Sequence, residues 1–264
     1  MKISFTKMHG AGNDFVMVDD REGRLSENWR QIAALSARGT GIGCEGLIIV
    51  QKSSCADFRM RFFNPDGTEA EMCGNGARCV AAFAKEIGAV QGNAMRFETI
   101  AGLVDAEIVD VNKVKVWLPE PHDLRDDFVN SGVPHKIVPV DNLAKADVDG
   151  EGRRIRLSEE FAPAGTNVDF VTYRAPHRLS IRTYERGVEA ETSACGTGAV
   201  AAAVIGVAQH GLKFPVQVKT AKGYELVIDG EYDGERFGNV ALTGPVKKVF
   251  EGEIEWDSLD TMTE

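Results

Sequence analysis

The feature that most constrains the fold of this chain is a Cys-Gly-x-Gly element that occurs twice, each time in front of an apolar helical segment. The copies are Cys73–Gly76 and Cys195–Gly198, and close to half of the 264 residues separates them. Each helical segment is followed by a strand-like run that ends in Thr-x-x-Gly, at Thr99–Gly102 and at Thr220–Gly223. A shared spacing over this much sequence indicates a duplicated unit.

The helical segments that follow the two elements, residues 80–84 and 199–208, are apolar on nearly every face, so both should be buried all round. Gly88 and Gly211 are the expected C-caps. Short β-rich segments dominate the rest of both halves. The sequence therefore predicts an α+β fold of two pseudo-symmetric domains. Each is a β-barrel-like sheet wrapped around a central buried helix, and the active site lies in the interdomain cleft.

The boundary between the halves is expected near Pro119–Pro121, because a Pro-Glu-Pro segment breaks both periodicities. The predicted domains are residues 1–119 with Cys73 and residues 120–250 with Cys195. Residues 251–264 form a tail that could return to the N-terminal half. The first helix is expected over residues 27–36, with Ser26 as its N-cap.

Composition narrows the class of protein. With 43% hydrophobic and 27% charged residues the chain is globular, and its net charge of −10 argues against a nucleic-acid partner. The first residues lack the apolar core of a signal peptide, and the longest apolar run is too short to cross a bilayer. We therefore expect a cytoplasmic protein with no membrane partner.

The five cysteines are expected to be reduced thiols, because an odd count without a secretory signal argues against a disulfide framework. There is no Cys-x-x-Cys, and the histidines show no metal-ligand spacing, so no metal is expected. Cys44, Cys55 and Cys79 are interpreted as core packing. Cys73 and Cys195 are interpreted as functional because the glycine context repeats around them.

A thiol at a helix N-terminus has a lowered pKa, because amide donors and the helix dipole favour its anion. The glycines after each cysteine allow backbone N–H groups to approach a small anion such as a carboxylate. Two such thiols facing each other would titrate as a coupled pair. One thiolate and one thiol on opposite faces of a carbon acid can invert its configuration without a metal or pyridoxal cofactor.

Other polar residues are candidate substrate contacts. Glu185 and Arg186 join a carboxylate to a guanidinium shortly before Cys195, which favours a substrate role over a surface ion pair. Asn13, Asn64 and Asn167 lie at expected turns, where asparagine is common, so for each of them a turn-forming role and a binding role stay open.

Taken together, these residues resemble the diaminopimelate epimerase family over essentially the whole chain. The resemblance implies a cofactor-independent isomerase that converts L,L-diaminopimelate to meso-diaminopimelate in lysine and peptidoglycan-precursor synthesis. Its partner would be this small molecule, and a homodimer stays open. The segments that carry the resemblance are His9–Phe15, Asn64–Gly67, Cys73–Cys79, Tyr184–Gly187 and Ala194–Ala199.

The resemblance also implies residue roles. Cys73 and Cys195 would be the catalytic acid and base, and His135 and Glu185 would tune their pKa values. The reacting α-carboxylate would be held by Gly74, Asn75, Gly196 and Thr197, and the remaining amino and carboxylate groups by Asn13, Asn64, Asn167, Glu185 and Arg186. The chain departs from the family in one place. Val133 stands where the family often has asparagine, so one expected substrate contact is either missing or supplied by a neighbour such as Asn130 or Ser131.

Two other kinds of protein stay open. A proline or hydroxyproline racemase-like enzyme would keep the fold and change the substrate, but the pair Glu185–Arg186 suits a second charged end. A non-catalytic amino-acid-binding protein would not require cysteines at both matched positions. A thiol-redox protein would show a reversible two-electron titration with a partner.

Overall fold

The computed structural model describes residues 1–25, 28–70, 72–174 and 176–262. It divides into two compact units. The first contains Met1–Val116 and Pro245–Glu264, and the second contains Trp117–Gly244. The end of the chain thus belongs to the first unit, where Trp256 is buried in one core cluster with Ile32 and Leu35.

The first unit is rich in strands and contains two helices. Its central helix, α2, ends just before Gly88, which has the positive φ of a helix-terminating glycine, as expected. The elements are β1 (Lys2–Gly10), β2 (Asn13–Asp19), α1 (Trp29–Ser36), β3 (Leu47–Gln51), β4 (Phe58–Phe63), β5 (Glu69–Ala70), α2 (Gly74–Glu86), β6 (Ala94–Thr99), β7 (Gly102–Asp110) and β8 (Lys113–Trp117).

The second unit has the same composition of elements. Its last strand, β17, passes from this unit into the first one at Pro245. The elements are β9 (His122–Arg125), β10 (Phe128–Asn130), β11 (Pro134–Pro139), α3 (Val148–Arg156), β12 (Asn167–Arg174), β13 (Arg178–Glu185), β14 (Ala190–Thr192), α4 (Gly196–Gln209), β15 (Val216–Lys219), β16 (Glu225–Tyr232) and β17 (Phe237–Glu255).

The two units repeat one order of strand pairing. In the first, β1 pairs with β2 antiparallel, β2 with β3 parallel, β3 with β4 antiparallel, β4 with β6 parallel and β6 with β7 antiparallel. In the second, β10, β11, β12, β13, β15 and β16 repeat these pairings in the same directions. The short strands β5 and β14 add to β4 and β13. The helices also occur at the same places in this order, as a duplicated unit requires.

In each unit the sheet wraps around one central helix. Helix α2 packs against β1, β2, β3 and β7, and α4 packs against β10 to β13, β15 and β16. Residues Gly198–Gly206 of α4 are all buried, because a helix that is apolar on every face has no side to offer to solvent. The predicted α+β class and the buried central helices are confirmed.

The first helix differs from the sequence expectation. It spans Trp29–Ser36, and its N-cap is Asn28, whose side chain accepts a hydrogen bond from the Arg30 amide. The expected start at Glu27 and cap at Ser26 lie outside the described residues. None of the helices in the described part of the chain is long and apolar enough to cross a membrane.

Candidate active site

Cys73 is the N-cap of α2, as the sequence predicts. Its backbone is extended, with φ of −137° and ψ of 119°, and its carbonyl accepts the first helical hydrogen bond from Ala77 at 2.7 Å. Its thiol is half-buried and lies 3.7 Å from Oδ1 of Asn13, to which it can donate. Asn13 begins β2, so the β1–β2 turn brings it to the start of α2.

A polar cluster surrounds this end of α2. The Asn75 amide donates to Oδ1 of Asn13 at 3.2 Å. Its own Oδ1 accepts from the guanidinium of Arg78 at 2.7 Å, and Arg78 also donates to the Gly74 carbonyl at 3.2 Å. The Asn13 amide nitrogen donates to the Glu45 carboxylate. The first unit therefore groups Asn13, Cys73, Gly74 and Asn75.

Cys195 is the N-cap of α4, the corresponding position in the second unit. The Gly198 amide donates to its sulfur at 3.4 Å, so the thiol itself caps the helix. The hydroxyl of Thr197 lies 3.4 Å from the same sulfur. Cys195 is buried, unlike Cys73.

A buried hydrogen-bonded chain connects Cys195 to a carboxylate. The Thr197 hydroxyl lies 2.9 Å from Nε2 of His135, and Nδ1 of His135 lies 2.6 Å from Oδ2 of Asp169. The other carboxylate oxygen of Asp169 accepts from the Thr183 hydroxyl at 2.6 Å. The side chains of His135 and Asp169 are both 0% exposed. A network in which every member has a partner is rigid and fixes the orientation of Thr197.

This environment raises the pKa of the Cys195 thiol well above its usual value. Burial is the main cause, because it penalises the thiolate, and the carboxylates of Glu185 and Asp169 add to it. The hydrogen bonds from Thr197 and Gly198 oppose this effect but are weaker. The expectation that the helix N-terminus lowers the thiol pKa is therefore wrong for Cys195, because burial outweighs the helix start, and Cys195 is a protonated thiol at neutral pH.

The loop that carries Arg186 is tied to Asn167. Oδ1 of Asn167 accepts from the Arg186 backbone amide at 2.8 Å, and its Nδ2 donates to the Pro134 carbonyl at 3.2 Å. Nδ2 also lies 3.4 Å from Nε2 of His135. The second unit therefore groups His135, Asn167, Thr197, Cys195 and the Arg186 backbone, whereas Asn64 lies at the β4–β5 turn of the first unit and donates to Thr68.

The segment that contains Val133 is anchored through its neighbours. The Ser131 side chain is buried and its hydroxyl donates to the Thr197 carbonyl at 2.8 Å. Asn130 accepts from the Gly132 amide. Ser131 thus supports the first turn of α4, directly after Cys195, although the departure at Val133 removes a side-chain amide.

Sequence reasoning gave no role to Asp169 or Arg78, although both are ionisable residues in buried positions. A signal for each was present. Asp169 interrupts the apolar run Val168–Val171, and Arg78 interrupts the apolar face of α2. Charged residues are almost never fully buried unless they are paired or functional. The described residues contain no group of three or more side chains that could hold a metal ion.

A family model described as diaminopimelate epimerase matches the chain twice, over residues 5–122 and 128–249. The chain belongs to the diaminopimelate epimerase family. A diaminopimelate epimerase of Aquifex aeolicus is 44% identical, with 98% of this chain and 100% of the relative covered. One of Chlorobaculum tepidum is 42% identical, with 94% and 99% covered. The two matches of the family model coincide with the two halves of the duplicated topology.

Solved structures with the same fold extend the comparison. A probable proline racemase from Agrobacterium radiobacter superimposes with a TM-score of 0.74 at 17% identity and covers 98% of this chain and 95% of that one. A PhzF-family phenazine biosynthesis protein from Bacillus anthracis gives a TM-score of 0.73 at 18% identity, with 97% and 99% covered. At this identity the likeness shows the fold alone.

Proposed function

We propose that this protein interconverts L,L- and meso-diaminopimelate by a cofactor-independent two-base reaction in which Cys73 and Cys195 are the acid and base. The observation that carries the proposal is that each unit places a cysteine at the N-cap of its central helix, followed by Gly-x-Gly. These two helix starts offer backbone N–H groups to a carboxylate and a sulfur to the adjacent carbon. Membership in the diaminopimelate epimerase family points to the substrate.

The two thiols differ in a way that favours one assignment for the structure described. Burial and two carboxylates raise the pKa of Cys195, so it is the acid. Cys73, which is half-buried, is then the base. As thiolate it takes the α-proton and becomes a thiol, while Cys195 gives its proton to the opposite face of the α-carbon and becomes a thiolate. The reverse epimerisation starts from this second state.

The other site residues are proposed to bind substrate. The reacting α-carboxylate accepts from the helix starts at Gly74–Asn75 and Gly196–Thr197. Contacts with the remaining amino and carboxylate groups come from Asn13, Asn64, Asn167, Glu185 and Arg186. The hydrogen bond that ties Asn167 to the Arg186 backbone supports this grouping. His135 and Glu185 tune the pKa values of the thiols. Two observations support this role: hydrogen bonds run from His135 through Thr197 to Cys195, and the Glu185 carboxylate raises the pKa of Cys195.

This reaction serves lysine and peptidoglycan-precursor synthesis in the cytoplasm, where a reducing environment keeps both thiols free. The test is incubation with L,L-diaminopimelate in D2O, followed by NMR of the α-positions. Deuterium should enter the product epimer at the inverted centre early, while recovered substrate stays protonated, because the acid and the base do not share protons directly. Early uptake into recovered substrate at the rate of product formation would indicate one base and contradict the proposal.

Variants of the cysteines test the roles of the two thiols. Cys73→Ala and Cys195→Ala should each lose at least 10²- to 10⁴-fold in kcat, roughly the range for general acid–base groups, while calorimetry still detects diaminopimelate binding. Cys55→Ala is the matched control, because Cys55 lies outside the proposed site and is exposed, so its interpretation as core packing is wrong. The double variant should be little worse than either single one, because the two thiols act as a unit. If either single variant keeps more than about a tenth of wild-type turnover, well outside that range, the two-thiol reaction is wrong.

A further inference from the structure

Arg78 is a buried cation that the proposed reaction does not use. Its side chain is 0% exposed. Two of its nitrogens donate to Gly74 and Asn75, and its Nε has no hydrogen-bond partner within the described ranges. The groups whose negative charge would raise its pKa are Cys79 and Cys73, each in its thiolate form. No described carboxylate neutralises it.

This position is unfavourable by the ordinary rules of helix stability. The Arg78 side chain folds back toward the N-terminus of α2, where a positive charge opposes the helix dipole, and the first turn has no acidic residue. Burial lowers the pKa of Arg78 to about 10, so the guanidinium is still protonated at neutral pH. A buried charge that costs stability is expected where it serves a function.

An anion near Arg78 would offset the free-energy cost of burying its positive charge. Two thiols are candidates for that anion. Burial raises the pKa of Cys79 to about 12, so Cys79 is a neutral thiol under physiological conditions. Cys73 is half-buried and is the remaining candidate.

Hydrogen bonds also link Arg78 to Cys73. Oδ1 of Asn75 accepts a hydrogen bond from Arg78. The Nδ2 of the same amide must therefore point the other way, and it donates to Oδ1 of Asn13 at 3.2 Å. The same Oδ1 lies 3.7 Å from the Cys73 sulfur. Arg78 therefore determines which way the Asn75 amide points and, through it, the contact of Asn13 with the thiol.

The titratable groups on the strands that pack against α2 are Lys2, Lys7 and His9 of β1, Asp14 and Asp19 of β2, and three carboxylates of β7. Lys7 of β1 pairs with Asp14 of β2 at 2.6 Å, and burial, ahead of the charge of Lys247, lowers the pKa of His9. Strand β3 carries no titratable side chain. Strand β7 carries Asp105, Glu107 and Asp110, of which Asp105 pairs with Arg96. None of these groups is among the charges that act on Arg78.

We propose that Arg78 is a positioning residue for Cys73, whose buried guanidinium supplies the positive charge that stabilises the thiolate and holds the Asn75 amide toward Asn13. The inference rests on the proposed role of Cys73 as a base. It adds a residue that never touches substrate but determines how readily this thiol becomes an anion.

The test measures the ionisation of Cys73 without turnover. The rate of Cys73 alkylation by iodoacetamide is followed as a function of pH, with peptide mass spectrometry to separate it from the exposed Cys55. In Arg78→Met the midpoint should rise by about one pH unit or more, which is about a tenfold loss of thiolate at neutral pH. Arg78→Lys keeps the charge and should restore most of the wild-type profile. Lys85→Met, which removes a cation from the last turn of the same helix, should leave the profile unchanged.

An unchanged midpoint in folded Arg78→Met, with the wild-type near-UV circular dichroism spectrum, overturns the inference. So does a Lys variant as strongly shifted as the Met variant, because the charge would then have no effect. If Arg78→Met does not fold, Arg78→Gln gives the same comparison with a neutral side chain that can still donate to Asn75. A shifted midpoint in a protein that does not epimerise diaminopimelate would refute the proposed function and leave this inference standing.

Discussion

Replacing Gly198 by alanine tests the buried chain of hydrogen bonds that connects Cys195 to Asp169. A Cβ at this position would lie 2.5 Å from Oδ1 of Asp169 and 3.3 Å from Cβ of Cys195. Because non-bonded heavy atoms pack best at about 3.5 Å, the carboxylate must move by roughly 1 Å to relieve this contact. It is held on both sides, by His135 and by Thr183, each at 2.6 Å.

The magnitude follows from the bonds that this movement strains. A hydrogen bond to a charged group contributes about 1.5–3 kcal/mol, whereas Gly→Ala in a helix gains at most about 1 kcal/mol. Loss of one bond therefore gives a net destabilisation of about 0.5–2 kcal/mol, or roughly 1–8 °C in the melting temperature of a chain of this size. A shift of Thr197 by a similar distance would lower kcat on the order of 10²-fold.

The corresponding glycine in the first unit provides the matched control. A Cβ at Gly76 would meet Cδ1 of Ile48 at 2.8 Å, the end of a flexible side chain that can change rotamer at a cost of about 1 kcal/mol. The assay is thermal unfolding by circular dichroism together with steady-state kinetics for the wild type and both variants. The reasoning is refuted if Gly198→Ala melts and turns over like the wild type, or if Gly76→Ala is affected as strongly.

Two further predictions concern thiol ionisation. Asp169→Asn removes one of the two carboxylates that raise the pKa of Cys195, so the alkylation profile of Cys195 should move to lower pH. Burial, the larger cause, still holds the pKa above its usual value. A move of the profile to higher pH would contradict this electrostatic account. Cys79, whose pKa burial raises to about 12, should resist iodoacetamide in the native protein at neutral pH while Cys55 reacts, and peptide mass spectrometry should find it modified only after denaturation.

The sequence predicts the central helices well because their signals are local. A cysteine with extended backbone, glycines that allow close approach and a following apolar run describe one helix N-terminus, and the structure has it twice, at Cys73 and at Cys195. The repeat in sequence also predicts the repeat in topology, because a duplicated unit folds in the same way both times.

Helix α3 shows where local signals fail. Its sequence, residues 148–156, is polar and contains two glycines, so its intrinsic helix propensity is low, and no helix is predicted there. The Asp147 side chain caps it by accepting from the Gly150 amide at 3.0 Å. The Tyr184 side chain crowds Gly152 so closely that a Cβ there would lie 2.6 Å from it. Tertiary packing of this kind is invisible in a single sequence.

The buried charges were missed for the same reason. The pairing of His135 with Asp169 depends on the register of β11 beside β12, in which His135 lies opposite Asn167. Spacing along the chain does not reveal that register. The family resemblance supplied a role for His135, but the carboxylate that orients it became visible only in the packed structure.

The two units share a backbone plan but differ in buried charge, and this difference accounts for the inequality of the thiols. Gly76 at the start of α2 packs against Ile48 of β3. The corresponding glycine of α4, Gly198, packs against Asp169 of β12. Helix α2 also contains a buried cation, Arg78, whereas the matching stretch of α4 is apolar. Positive charge favours a thiolate and negative charge disfavours it. Under the proposed function, the duplication therefore supplies two equivalent sulfurs, and the later substitutions make Cys73 the base and Cys195 the acid. Two thiols in identical surroundings would have equal pKa values, so neither would be favoured as the base.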